Sequence, residues 1–245
     1  MNEVTKLMQN HRSIRKYTDE PIPDDMLKQL FASAQWAPSS HNVQAYSIIV
    51  VKDKMKKQKL SEICARQGYV KECPVFLVFC ADFFRLKVTT DMHNTNFDIG
   101  EMDSLFVGCI DTALAAQNVM IAAESLGLGG VMIGGIRNDL REVSTLLKLP
   151  KYTIPLMGMC LGFPAQDVWQ KPRLPQHVVV HNDYYNVDNL IDGLREYEEI
   201  SAEYYNRRTN GTRKEGWTKQ MSKYFSSSRR PNIKDFIIRQ GFGLK

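Results

Sequence analysis

The stretch IGEMDSLFVGCIDTALAAQNVMIAAESLGLGGVMIGG, residues 99–135, decides the fold. Within it Ile99, Met102, Leu105, Phe106, Cys109, Ile110, Ala113, Ala116, Met120 and Ala123 recur at three- and four-residue steps, the spacing of one helical face. This predicts a single long helix over about residues 99–126. Its face is rich in small residues, so another backbone can approach it closely. Gly127, Gly129 and Gly130 end it, and residues 131–133 follow as a buried strand. That order excludes a dinucleotide fingerprint, whose glycines leave a strand and open a helix. No Lys-Ser/Thr pair follows, which excludes a nucleotide P-loop. Gly134-Gly135 instead lets a flat ligand lie against bare backbone.

Working outward, Val4, Leu7 and Met8 predict a short opening helix that stops before His11. Pro23-Asp24-Asp25 starts a second helix, with Leu27, Leu30, Phe31 and Ala34 on one face, ending near Ala37-Pro38-Ser39-Ser40. Residues 46–51 read as a strand, Asp53 as the N-cap of a Lys-rich helix to Ile63, and residues 75–81 as a buried strand. A helix over residues 138–147, a strand over 156–161 and a Pro-punctuated loop over 163–175 come next. Leu190, Leu194, Tyr197, Ile200 and Tyr204 mark a late helix. Strands and helices mix without strict βαβ alternation, so the class is α+β. There are no internal repeats, and one domain over residues 1–245 is expected.

The 245 residues are 43% hydrophobic and 24% charged, which excludes collagen-like, disulfide-scaffold and wholly disordered classes. No uninterrupted apolar run approaches the ~18–20 residues that span a bilayer, and the first twenty residues show no secretory pattern. The five cysteines are odd in number and form no CxxC. A reducing, cytoplasmic compartment fits them. The net charge of +5 is uneven: residues 206–245 carry 11 Lys+Arg against Glu215 and Asp235, hence +9, leaving −4 for the rest. Trp217, Tyr224, Phe225, Phe236, Ile237, Ile238 and Phe242 in this tail argue for a docked segment rather than a disordered arm.

Two short stretches suit an anion. His11-Arg12-Ser13-Ile14-Arg15 puts two guanidinium groups and a hydroxyl within a few residues, and Arg forks match phosphate oxygens bidentately. Two exposed arginines flanking a buried isoleucine would read the same way. Lys171-Pro172-Arg173-Leu174-Pro175 presents two cations on a segment stiffened by prolines, although a plain surface turn has the same composition. His177 and His181 are separated by three valines that favour a strand, which would place them about 13 Å apart, too far to share a metal ion. Ser40-His41 lacks a nucleophile-elbow setting, and His93 lies in a polar stretch. No metal site, triad or paired-carboxylate arrangement emerges, so hard chemistry falls to a bound cofactor.

Taken together, His11–Arg15, the Ala37-Pro38-Ser39-Ser40 helix end, Gln67, Met132-Ile133-Gly134-Gly135 and Lys171–Pro175 resemble the FMN-dependent nitroreductases, in the branch of oxygen-insensitive NADPH nitroreductases and NADPH-flavin oxidoreductases. The resemblance implies a central mixed or antiparallel sheet packed by helices around the long helix. It further implies an intertwined homodimer with an FMN in each of two interface clefts, and the basic tail docked on its own domain or on the partner. His11, Arg12, Ser13 and Arg15 would hold the phosphate and ribityl end, joined by Lys171 and Arg173. Ser39 and Gln67 would meet the ribityl chain or ring edge, and the backbone of Met132, Ile133, Gly134 and Gly135 the ring. Arg208 and Arg213 match positions near the 2′-phosphate of NADPH. No side chain is implied as catalytic, because the flavin carries hydride from NADPH to nitroaromatics, quinones or free flavins in a ping-pong cycle. A flavin reductase releasing reduced flavin is the alternative within the class. A nucleic-acid-binding protein using the basic tail is the alternative outside it. Pro38, His41 and Asn42 stand where serines are common among relatives, in the region expected to line the active cleft.

Overall fold

A computed structural model describes residues 1–243 of the chain. In chain order its elements are α1 (Glu3–Gln9), α2 (Asp24–Gln35), β1 (Tyr46–Val51), α3 (Lys54–Ile63), α4 (Gly68–Glu72), β2 (Val75–Asp82), α5 (Phe84–Met92), α6 (Met102–Ser125), β3 (Gly129–Ile133), α7 (Leu140–Leu146), β4 (Thr153–Gly162), α8 (Gln176–Val179), α9 (Leu190–Arg208), α10 (Trp217–Phe225) and α11 (Ile233–Arg239). They divide into two compact units, residues 1–168 with 230–243, and residues 169–229.

The first unit is α+β. Its sheet runs β1-β2-β4-β3, every pair antiparallel. Side chains on a strand alternate between faces. Leu77 and Phe79 of β2 therefore join Met159 and Leu161 of β4 under α2 and α6, while Phe76, Val78 and Cys80 face α3, α4 and α7 on the other side. With both faces covered, all eight residues of β2 are buried, which is why the strand reads as a continuous apolar run. β4 begins three residues earlier than its sequence predicts. Pro155 lies at a register shift opposite Cys80, and such irregularities are where a sheet tolerates proline.

α6 ends as expected: Gly127 adopts φ +78°, a left-handed conformation that costs glycine little. Contrary to the run-length expectation, α6 is long and apolar enough to cross a membrane, the one such helix among the described residues. Its Ala115, Ala116, Val119, Met120 and Ala123 are buried in the core shared with α2 and the sheet, and Asp111 is 1% exposed on it. It packs as a core helix. α11 brings Phe236, and the chain after it Phe242, into a third cluster with Phe83 and Ile154. Phe242 meets the Phe83 ring edge-on at 5.3 Å.

The second unit is held by α9 and α10. Trp217 N–H donates to Ser201 Oγ at 2.7 Å, and Thr218 N–H to Glu198 Oε2 at 2.7 Å. Gln176–Val179 forms one helical turn rather than the predicted strand. Pro175 at its N-cap, φ −54°, suits the start of a helix. The strand-spacing argument about His177 and His181 therefore does not apply. Among the described residues no group of three or more His, Cys, Asp or Glu is placed to hold a metal ion.

Candidate active site

Glycines shape the site in the first unit. Ile14 N–H donates to Gly130 O at 2.9 Å, and Ser13 bridges Gly130 in parallel fashion. This alongside course is possible because Gly129 has no side chain: a Cβ there would lie 2.5 Å from Ile14 Cγ1. The segment then continues past the end of β4. Thr18 N–H donates to Phe163 O, Ala165 N–H to Lys16 O, and Tyr17 Oη donates to Ile14 O at 2.7 Å. The glycines that stop α6 thus seat the His11–Arg15 loop.

Within that loop His11 Nδ1 lies 2.6 Å from Glu124 Oε1, on the last turns of α6. Arg12 Nη1 is 3.7 Å from the exposed Asp167 carboxylate, while its Nε is buried without a partner. Arg15 donates to Ser13 O at 3.3 Å and lies over the Tyr69 ring, 5.9 Å from its centroid. Burial raises the Tyr69 phenol above its ordinary range, and Arg15 partly offsets this.

Tyr69 belongs to α4, and Gln67 precedes that helix. Ala65 and Arg66, at φ +60° and +57°, turn the chain there, and Ser61 Oγ donates to Gln67 O at 2.9 Å. The Gln67 Oε1 atom is buried without a partner. The turn Gly134–Asn138 packs against the same region. A Cβ on Gly135 would meet Cys64 Cα and Cβ at 3.0 Å, whereas one on Gly134 would meet only the Arg137 guanidinium, at 3.2 Å. Ile133 is buried in the core, while Met132 is exposed. The Arg12–Arg15, Gln67–Tyr69 and Gly134–Gly135 segments are linked by these contacts.

Ser39 sits elsewhere in the network. Its hydroxyl donates to Asp111 Oδ2 at 2.6 Å and accepts from Gln44 N–H at 2.7 Å. Its side chain is committed to holding its own loop.

The second unit carries the remaining cations. Arg173 donates to Lys171 O at 2.8 Å, and Tyr197 Oη donates to Pro172 O at 2.8 Å, anchoring this segment on α9. Tyr205 of α9 is shared: Arg213 lies 3.8 Å and Lys171 5.4 Å from its centroid. Arg208 donates to Tyr204 Oη at 3.0 Å.

Sequence reading missed Asp111, Glu124, Tyr69 and Tyr205. The first two had a signal, an acid inside a long apolar helix. The tyrosines had none, because a ring under a cation becomes visible only after folding.

Leaving a buried donor or acceptor unmade costs about 1–3 kcal/mol. Arg12 Nε and Gln67 Oε1 are two such atoms, in segments joined by the Arg15–Tyr69 contact, and a polar cofactor would satisfy both. The sequence pattern of the Nitroreductase family matches residues 8–163, and that of its C-terminal domain matches residues 171–245. The chain belongs to the Nitroreductase family. It is 43% identical to a Bacillus subtilis FMN reductase [NAD(P)H], with 100% of each chain covered. It is 40% identical to the oxygen-insensitive NADPH nitroreductase of Salmonella typhimurium, again covering 100% of each. Among solved structures, B. megaterium NfrA2 matches with TM-score 0.98 and 40% identity over 100% of both chains.

Proposed function

We propose that this protein is an FMN-dependent reductase that uses NADPH to reduce nitroaromatics, quinones or flavins. The observation that carries the reading is that two buried, partnerless atoms, Arg12 Nε and Gln67 Oε1, belong to segments joined by the Arg15–Tyr69 contact. FMN suits both: its phosphate is an acceptor for guanidinium N–H groups, and its ribityl hydroxyls and imide edge offer donors to an amide oxygen. Arg12, Ser13 and Arg15 hold the phosphate end, and the open Gly134 backbone accepts the ring. Three charge-assisted hydrogen bonds at about 1.5–3 kcal/mol each give ~4.5–9 kcal/mol. Micromolar affinity needs ~8.2 kcal/mol, so this grip with ring burial retains the cofactor. His11 is oriented through Nδ1 by Glu124. Lys171 and Arg173 as cofactor cations, and Arg208 and Arg213 as readers of the NADPH 2′-phosphate, are supported by the family resemblance.

When bound, the flavin supplies two-electron chemistry, taking hydride from NADPH and giving it to an acceptor in alternate half-reactions. The protein binds, orients and excludes water. A homodimer is part of this reading, supported by an exposed apolar stripe on α6: Met102, Phe106, Ile110 and Leu114, of which Phe106 is 57% and Ile110 56% exposed. The free cysteines suit a reducing cytoplasm.

The test is spectral. Purified protein titrated with FMN should show a bound-flavin absorbance that bleaches with anaerobic NADPH, and Arg12→Ala should weaken FMN binding about 10- to 100-fold. Protein that stays colourless in excess FMN would refute the reading. Arg208→Ala should raise KM for NADPH more than for NADH; equal effects would remove its assigned role. Comparing turnover with free FMN, a quinone and a nitrofuran separates a flavin reductase from a nitroreductase.

A further inference from the structure

Asp111 is the least explained group in the first unit. It lies within a long apolar helix, 1% exposed, and among the described residues no cation lies within ion-pairing distance of it. A carboxylate in such a place is costly unless its oxygens are fully hydrogen-bonded. They are met by one stretch of chain. Oδ2 accepts from Ser39 Oγ at 2.6 Å and from Ala45 N–H at 3.0 Å, and Oδ1 accepts from Ser40 N–H at 3.2 Å. Two donors come from the start of a loop and one from its end, so a single carboxylate closes the Ser39–Ala45 loop.

The enclosed residues need such a latch. His41, Asn42 and Gln44 stand at φ +49°, +57° and +53°, a left-handed conformation that each non-glycine residue adopts only at a cost. The loop is also a wall. Ser40, His41 and Val43 line a cleft of about 680 Å³ together with Phe83, Phe106 and Ile110. That volume suits a small aromatic ligand, and Phe106 and Ile110 of its lining belong to the exposed apolar stripe of α6.

We propose that Asp111 is a positioning residue for substrate selection: through Ser39, Ser40 and Ala45 it fixes the wall of the cleft that receives the flat electron acceptor. The inference deepens the reductase reading and rests on it. The residue touches neither cofactor nor acceptor. It acts by holding His41 and Val43 in place.

Asp111→Asn tests it with almost no change in volume. An amide has one oxygen, so its NH₂ must face either Ser40 N–H or the Ser39–Ala45 donors, and the loop is released at one end. Hydrogen exchange on the FMN-loaded protein should quicken about tenfold or more at Ser40 or Ala45. KM for a nitrofuran relative to KM for benzoquinone should shift at least about threefold, while kcat for NADPH oxidation and the FMN dissociation constant stay within about twofold. Faster exchange with an unchanged KM ratio overturns the proposal, because the latch is then only structural. Weakened FMN binding with unchanged acceptor constants overturns it too, by assigning the loop to the cofactor. If Asp111→Asn does not fold, Ser39→Ala, which removes the hydroxyl between Asp111 and Gln44 N–H, should move the same ratio in the same direction; no movement overturns the proposal. Failure of the wild-type protein to take up FMN would defeat the reductase reading instead, and the exchange measurement, which can be run without flavin, would still report on the latch.

Discussion

Gly129 shows how much one absent side chain can arrange. Ile14 fills the space its Cβ would take, with Pro164 Cγ 3.0 Å away. Gly129→Ala should therefore cost about 1–3 kcal/mol by overpacking and lower the melting temperature by several degrees. The added methyl pushes Ile14, and the arginines flanking it, away from β3, so FMN binding should weaken as well. Ile14→Ala, which removes Cγ1 but keeps the Cβ 2.8 Å from the new methyl, should cost less in the Gly129→Ala chain than it does alone; a double variant no better than the sum of the singles would show that the two residues are not coupled. The arginines themselves were legible in the sequence because charge type and spacing suffice to suggest an anion. The packing of Ile14 was not, because it depends on a partner more than a hundred residues away.

Among the elements, α6 was legible because its apolar residues recur at helical spacing over many turns, and its stop because glycines follow at once. α5 was not. Its Phe84, Leu86 and Val88 follow no helical stripe and none of its residues is buried, so no pattern announced it. α8 misled for a different reason: valines favour strands, but Pro175 in front of a four-residue segment fixed the local geometry first. The outward face of α6 carries the prediction at this scale. Ile110→Lys, at a position 56% exposed in the single chain, should leave the fold intact but split the proposed homodimer into monomers in sedimentation. An unchanged mass would mean that this stripe is not where copies meet.

Across the whole molecule, buried ionisable groups set the response to alkali. Burial pushes the Cys64 and Cys80 thiols up to about 12, and it raises the half-buried Cys109 thiol and the Tyr17 and Tyr69 phenols too. In the unfolded chain a thiol ionises near ~8.5. Each folded value lies above its unfolded one, so the stability these thiols contribute is complete below pH ~8.5 and is lost as pH rises towards 12. Urea midpoints should accordingly fall between pH 8 and 10, and Cys64→Ala should flatten the slope. The fold class was legible at this scale, because β2 and the long helix leave few alternatives. The division of the basic tail was not: residues 206–229 fall in one unit and residues 230–243 in the other. Several of its cations are engaged within the protein, Lys219 and Lys223 on Glu215 nearby in the tail and Arg230 on Asn138.

The course of residues 13–18 beside β3 and the end of β4 has one more effect. β3 is one of the two outer strands of its sheet, and an outer strand with open N–H and C=O groups invites pairing with foreign chains. By bonding to Gly130, Phe163 and Ala165, this segment also shields that margin. Trimming the N-terminus through Arg15 should therefore do more than abolish flavin uptake: it should leave a sticky border and a protein that precipitates.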